Sequence, residues 1–298
     1  MDNIINKLIE HIKKNNIKYV TISESNHRSY TSHTFQYKLV KALYENKIIN
    51  TFSSERLGIN DAQIINYYLE NKLSIEDMIE KLPFGGMGYY RIIKYLNKKP
   101  YNKYKIVGLE EDKFCYKTQK NLPKDLVLYR YHNEEEREKF WLKNIKSIIK
   151  ERGNLFINGF HLNKSDIIGK YLMENYPKQT LILGMCAKEI ITQILVIDNK
   201  EKDIDKAVMN NNYQMKVERV DKISPPTKLE ENIEEWKLIK VTKKNQNQDI
   251  RAVGCYLALH QKEYDNNVNI NSDVVYKIKN YDYVIAFKNS KYKEKMFY

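Results

Sequence analysis

The chain has little cysteine, no long apolar run and none of the usual nucleotide or serine-hydrolase signatures. Its 298 residues hold three cysteines, Cys115, Cys186 and Cys255, far apart and odd in number. No CxxC pair exists, which argues against a disulfide framework or a cysteine zinc site. No stretch approaches the length of apolar sequence that a membrane span needs. The N-terminus, Met1-Asp-Asn-Ile-Ile, carries acid early and lacks the basic-then-apolar layout of a signal peptide. Together these absences predict a cytoplasmic or intracellular, reduced protein with no membrane span. The glycine-rich stretch Pro83–Gly88 has neither the Gly-Lys-Ser/Thr ending nor the GxGxxG spacing of a phosphate loop. It reads as a helix connection, with a substrate-facing lid as the alternative. No GxSxG elbow is present, and no serine-triad order emerges.

What the chain does have is length, charge and tyrosine. A hydrophobic content of 42% is enough for a substantial core. The 24 tyrosines far outnumber the 9 phenylalanines, so many packed rings also need a hydroxyl partner. The surplus of Ile, Asn, Lys and Tyr has the look of an AT-rich coding sequence. The net charge of +13 could attract nucleic acid, anionic lipid or an acidic partner. Because Lys replaces Arg almost throughout, composition accounts for that charge without a focused patch.

Periodicity gives alternating helices and strands. Asp2–Asn15 reads as a helix with Ile5, Leu8, Ile9 and Ile12 inward and Asp2 as its cap. Tyr19–Ser23 reads as a strand ending on Glu24. Thr34–Asn46 reads as a helix with Phe35, Leu39, Ala42 and Leu43 inward. Ile48–Ser53 reads as a second strand, ending on Ser54-Glu55-Arg56. Residues 60–98 look mostly helical. Further strands are expected at Tyr104–Leu109, Leu155–Ile157, Gln179–Gly184, Trp236–Thr242, Ile250–Leu259 and Tyr281–Phe287. Helices are expected at Asn133–Arg152, with Trp141, Ile145, Ile148 and Ile149 apolar, and at Ser165–Asn175, with Ser165 as cap. The polar stretch 198–235 reads as a small irregular insert. This order predicts a single α/β domain over residues 1–298. Its largely parallel central sheet is flanked by helices, with helical excursions at 60–98 and 133–152.

The chemistry-bearing residues follow strands. Glu24, His27, Glu55 and His161 each fall after one, and in open α/β sheets ligands bind beyond the carboxyl ends of strands. A histidine beside a carboxylate can take a proton from water, since its pKa lies near operating pH. His27 would be that base, with Glu24 and Glu55 orienting it or its water. His161 would serve as auxiliary acid or oxyanion donor. Arg28 and Arg56 could hold an anion through a planar fork of donors. Two carboxylates and two histidines could equally hold a divalent metal such as zinc, iron or manganese, although the water-based reading requires no cofactor. Glu110, Glu111 and Asp112 end a third strand and could reach the same cleft or face solvent. His33, His132 and His260 are weaker candidates, and His11 reads as a surface residue. Cys186, after the strand at Gly184, is a weak candidate nucleophile.

Taken in order, these motifs resemble the erythromycin esterase superfamily, sometimes grouped with succinoglycan biosynthesis proteins. Its opening Gly-Glu-x-x-His-Gly pattern stands here as Ser23-Glu24-Ser-Asn-His27-Arg28. Its second-strand glutamate falls on Glu55, and its Ile-Asn-x-Tyr pattern on Ile65–Tyr68. Its Gly-x-Asp falls on Gly108-Leu-Glu110. Its helix with Arg, central Met and Asn falls on Arg137, Trp141 and Asn144. Its His-Asn-x-His element falls on Asn158-Gly159-Phe160-His161. The Gly169-x-x-Leu172 step and the terminal Phe-Asp, here Tyr281-Asp282, complete the series over nearly the whole chain. The resemblance implies an α/β fold and hydrolysis of an ester or lactone of a small-molecule substrate by activated water. Related haem-uptake and Tiki-type proteins share a similar opening, which keeps metal or haem binding as an alternative. Three departures stand out. Ser23 and Arg28 replace glycines, and Asn158 replaces a histidine that could shuttle a proton where an amide cannot. They favour a second alternative, a non-catalytic binding protein, host- or nucleic-acid-directed, that reuses the pocket.

Overall fold

A computed structural model describes residues 1–24, 30–81, 90–99, 104–110, 134–151, 153–159, 162–197, 213–219, 236–247, 249–255 and 271–291. His27, Arg28, Glu111, Asp112, Cys115, His132, His161, His260 and the Pro83–Gly88 stretch lie outside the described residues. So do 198–212 and 220–235 of the polar insert.

The helices are α1 (Asp2–Lys14), α2 (Tyr30–Glu45), α3 (Ile59–Leu69), α4 (Ile75–Lys81), α5 (Tyr90–Leu96), α6 (Glu134–Lys150) and α7 (Ile167–Asn175). The strands are β1 (Tyr19–Glu24), β2 (Thr51–Gly58), β3 (Lys105–Glu110), β4 (Leu155–Gly159), β5 (Thr180–Ile197), β6 (Tyr213–Arg219), β7 (Trp236–Lys240), β8 (Asp249–Cys255), β9 (Asn271–Lys277) and β10 (Tyr283–Lys291). The main sheet runs β3-β2-β4-β1-β5-β10-β7, and β6 pairs with the far part of β5. From β3 to β10 every pairing is parallel, and only β7 and β6 join antiparallel. β8 and β9 form a separate antiparallel pair. The expected α/β class and largely parallel sheet are therefore present, with helices at 60–98 and 133–152 as anticipated.

Each face of the sheet carries its own core. Val20, Ile22, Phe52, Phe156 and Leu183 pack against α1, α2, α3 and α5 on one face. Tyr19, Leu155 and Ile157 pack against α6 and α7 on the other, where Trp141, Ile145, Ile148 and Ile149 are all buried. The alternation along β1 and β4 is what places successive side chains on opposite faces. Helices α1, α2 and α3 stop in the same way. Asn16, Lys47 and Asn71 adopt left-handed backbone (φ 52°, 57° and 57°), and the next amide bonds back to the fifth carbonyl before it.

This helix ending explains the main boundary correction. Ile48 and Ile49 look like strand residues, but the Ile48 amide bonds to the Leu43 carbonyl and closes α2. Their apolar side chains pack into the core from the turn, and β2 begins only at Thr51. Strand β2 then runs through Glu55 and Arg56 to Gly58, so neither follows the strand end. β4 likewise includes Asn158 and Gly159. Two expected caps also move. Met1, not Asp2, precedes α1, and Asp2 instead pairs with Lys38 at 2.8 Å. Asp166, not Ser165, precedes α7, while Ser165 is held by the Asn163 side chain in the preceding turn.

The connections fix where a ligand would sit. From β1 the chain passes through α2 to β2 on one side. From β4 it passes through α7 to β5 on the other. β4 and β1 are neighbours, and these connections leave in opposite directions over opposite faces. The carboxyl ends of β4 and β1 thus form a topological switch point, the usual crevice of open α/β sheets.

Candidate functional site

Glu24 is the last residue of β1, in register with Met185 of β5. His27 and Arg28 follow it beyond the described residues. Ser23, just before it, lies in regular strand backbone between Gly159 of β4 and Gly184 of β5. A serine is therefore accommodated at this position without any left-handed turn.

Glu55 is the buried carboxylate of this edge, with 2% of its surface exposed. Ser54 still pairs with Asn158, but beyond it the β2–β3 register shifts before resuming at Gly58. Such an irregularity re-aims a side chain. The Glu55 side chain lies across β4, over Gly159, where an added Cβ would overlap its carboxylate. Gly159 is thus a cradle for Glu55, and it stands two residues before His161. Arg56 occupies the same irregular stretch of β2.

Asn158 faces the other way. It is fully buried, and its amide donates to Gln36 Oε1 of α2 at 2.7 Å. Gln36 in turn donates to Ser32 Oγ at 3.1 Å, and Ser32 donates to Met185 Sδ at 3.1 Å. A chain of neutral groups therefore runs beneath α2 from β4 to β5. A buried amide kept in place by a second amide is a hydrogen-bonding element, with no proton to exchange near neutral pH.

Glu110, at the end of β3, is engaged by its own chain. Its Oε2 accepts from Arg137 Nε at 3.0 Å and pairs with the same guanidinium at 2.9 Å, and its Oε1 accepts from Trp141 Nε1 at 2.6 Å. The Arg137 guanidinium stacks 4.4 Å from the Trp141 ring centre, and Asn144 donates to the Leu109 carbonyl. One face of α6, at spacings of four and three residues, is tied to the strand end. Glu110 is a tether in this arrangement, and its oxygens are directed at α6.

The C-terminal pair Tyr281-Asp282 enters β10 from the opposite side of the site. Asp282 accepts from the Ile182 amide at 2.8 Å and pairs with Lys164. Tyr281 is 5% exposed, and its ring lies against Gly184, so that a Cβ there would meet it at 3.0 Å. Burial pushes its phenol well above the usual tyrosine value, with the charges of Asp166 and Cys186 adding to the shift. A side-chain hydrogen bond with Ser23 opposes it.

The structure thus gathers the ends of β1, β2 and β4, with Glu24, Glu55 and Asn158 on three adjacent strands. It separates Asn158 from Glu55 by face. Sequence reasoning missed Gln36, and it quoted Gly159 and Tyr281 only as members of the family pattern, without their packing against Glu55 and Gly184. The first had a signal, a polar residue on the inward stripe of α2 beside Phe35 and Leu39. Among the described residues no group of three His, Cys, Asp or Glu could hold a metal ion. No described helix is long and apolar enough to cross a membrane.

No protein-family model matches the chain, and no curated protein does. Solved structures do. A protein from Bacillus cereus superposes with a TM-score of 0.63 at 12% identity, over 97% of this chain and 94% of that one. A succinoglycan biosynthesis protein superposes with a TM-score of 0.63 at 11% identity, over 95% and 91%. An erythromycin esterase variant in its open conformation gives a TM-score of 0.62 at 9% identity, over 95% and 93%. At such identities the likeness is one of fold. The chain carries the fold shared by the erythromycin esterase and succinoglycan biosynthesis structures.

Proposed function

We propose that the chain is a hydrolase-like protein that uses activated water to cut an ester or lactone bond of a small molecule. His27 takes a proton from water, Glu24 and Glu55 orient the imidazole or the water, and the oxygen attacks the carbonyl carbon. Arg28 and Arg56 hold the oxyanion or a substrate anion. His161 passes a proton to the departing alkoxide as the carbon–oxygen bond breaks. The observation that carries this reading is the Glu55 carboxylate. It is buried over Gly159 at the end of β4, the strand that leads to His161 and that pairs with β1, the strand that leads to His27. A carboxylate is kept buried at a strand end only where polar or charged groups offset its desolvation, so its burial marks a polar environment there. The test is turnover of a panel of chromogenic aryl esters and lactones. His27→Ala should reduce any turnover found by about 10²–10⁴-fold with the fold intact. Wild-type turnover in that variant refutes the assignment.

A second reading has one observation in its favour. Asn158 is locked to Gln36 where an acid-base histidine was expected, which suits a pocket that binds without turnover. It predicts no hydrolysis across the panel by the wild-type protein. Its nucleic-acid version further predicts a steep loss of affinity with salt, as phosphate contacts require.

A further inference from the structure

We propose that the amino edge of the main sheet is a docking surface for single-stranded nucleic acid. It lies at the other end of the strands from the candidate site. Lys18 and Glu24 stand six residues apart along β1, so about 20 Å separates the two edges.

The parallel strands are all entered from this edge. Backbone bonds tie their entries into one row. Lys105 donates to Asn50, Asn50 to Asn154, Leu155 to Lys18, and Lys18 to Gln179. Exposed lysines stand along it, with Lys14 before β1, Lys47 before β2, Lys150 before β4 and Lys178 before β5. Helix α5 also runs toward this edge, since Arg91 meets Thr34 near the start of α2 and Tyr95 meets Glu45 at its end. That brings exposed Lys98 to the β3 side. At the far side β7 runs antiparallel and delivers exposed Lys243 and Lys244. Carboxylates reach the edge too, but Glu151 is paired with Lys105 at 3.2 Å, and Glu45 accepts from the Tyr95 hydroxyl at 2.8 Å. Helix dipoles favour lysine in a last turn, which accounts for Lys14 and Lys150. They do not account for Lys178, Lys243 and Lys244, which stand outside the helices. The positive charge of the chain is thus gathered here by the fold.

The shape of the row selects the partner. From β3 to β7 it takes six strand spacings of about 4.8 Å, about 29 Å in all. Each step turns the sheet by about 20–25°, so the row twists through about 120–150°. A flat bilayer meets only part of such a row, whereas a flexible phosphate backbone can follow it. Membrane docking also needs an apolar face. Among the described residues the exposed large apolar side chains are Ile59 and Tyr67, and Ile59 opens α3 at the opposite edge. Tyr67, 39% exposed, stands in the last turn of α3, which Asn66 ties to Ile106 near the start of β3. An exposed ring beside a row of cations offers an unpaired base a surface to stack on.

The test is fluorescence anisotropy of a labelled oligothymidine titrated with the protein across salt concentrations. Each phosphate neutralised on a single strand adds about 0.7 to the steepness of log affinity against log salt. Replacing Lys47, Lys150 and Lys178 by Gln should flatten that slope by about 2.1 and weaken binding about tenfold or more at low salt. The same exchange at Lys7, Lys143 and Lys170, exposed on the bodies of α1, α6 and α7, removes equal charge and should leave the slope in place. Equal flattening by both sets, or no binding by the wild-type protein, overturns the proposal. So does binding to phosphatidylserine vesicles without binding to the oligonucleotide. Tyr67→Ala should weaken binding about fivefold or more at an unchanged slope. An unchanged affinity in that variant, or a duplex bound as tightly, overturns the single-stranded assignment. Binding lost in Arg56→Gln but kept in the lysine variant overturns the edge in favour of the pocket. The lysine variant should keep any ester turnover of the wild type, so failure of the hydrolase reading leaves this surface standing.

Discussion

Replacing Gly159 by alanine tests the placement of Glu55 with a number attached. The three atoms nearest to a Cβ at position 159 are all from the Glu55 side chain, within 2.6 Å, far inside contact distance. What must give is the end of the Glu55 side chain, and its burial leaves it little room to swing aside. Overpacking of this kind costs about 1–3 kcal/mol. Against it stands the ordinary gain of replacing a strand glycine, about 0.5–1 kcal/mol. The net expectation for Gly159→Ala is a loss of about 0–2.5 kcal/mol in urea denaturation. In a Glu55→Ala background the overlap is gone and only the gain remains, so the same substitution should become neutral or stabilising. The coupling between the two positions is then about 1–3 kcal/mol, well above the scatter of independent sites. Glu55→Gln keeps the bulk and removes the charge. In that background Gly159→Ala should remain costly, which separates steric overlap from electrostatics. An equal cost of Gly159→Ala in the wild-type and Glu55→Ala backgrounds would refute the cradle.

Two further outcomes follow from groups away from that strand edge. Glu110→Gln keeps an acceptor for Trp141 but loses the ion pair with Arg137, and should cost about 1.5–3 kcal/mol with a change in tryptophan emission; an unchanged denaturation midpoint and spectrum would show that the tether does not hold α6. The His11 pKa is lowered from the ordinary histidine value, first by burial and then by Lys240; Asp282 pulls it the other way, and Lys14 lowers it by less. The unfolded chain therefore takes up the His11 proton more readily, and stability should fall as pH drops through the ordinary histidine range and below. His11→Gln should flatten that part of a stability–pH curve, and a curve of unchanged slope would remove His11 as its source.

Much of the fold was legible because its signals are local. The stripes of α1 and α6 appear as apolar residues three and four apart, and β1 and β10 as runs of β-branched residues. The boundary of β2 was not, because Ile48 and Ile49 have strand-like side chains yet close a helix through a left-handed Lys47. Asn16 and Asn71 mark the same ending with a residue that tolerates left-handed backbone, whereas Lys47 carries no such sign. The site was legible as a set of strand ends and illegible as a geometry. The order of the chain puts Glu24, Glu55 and Asn158 at the ends of expected strands, but that those strands are neighbours is a fact of the sheet. It does not reveal that a register shift turns Glu55 over β4, nor that Asn158 points to α2. The Arg137, Trp141 and Asn144 spacing identified one helix face correctly, but what it grips, the carboxylate of Glu110, is a tertiary fact.

The split between faces changes the weight of the missing histidine. Asn158 was the strongest argument for a lost activity, since an amide cannot replace an acid-base group. Yet in β4 the side chains of 158 and 159 emerge on opposite sides, and Asn158 is spent on Gln36 beneath α2. The Glu55 carboxylate lies over Gly159, on the face shared with Ser23 and Tyr281. Residue 158 therefore does not sit against that carboxylate, and its replacement leaves the Glu55 side of the site intact. What an amide at 158 alters is the α2 side, where a titratable ring would have met Gln36 and Ser32. Substituting Asn158 would then disturb α2 packing while leaving the surroundings of Glu55 unchanged, whereas substituting Ser23 would do the reverse.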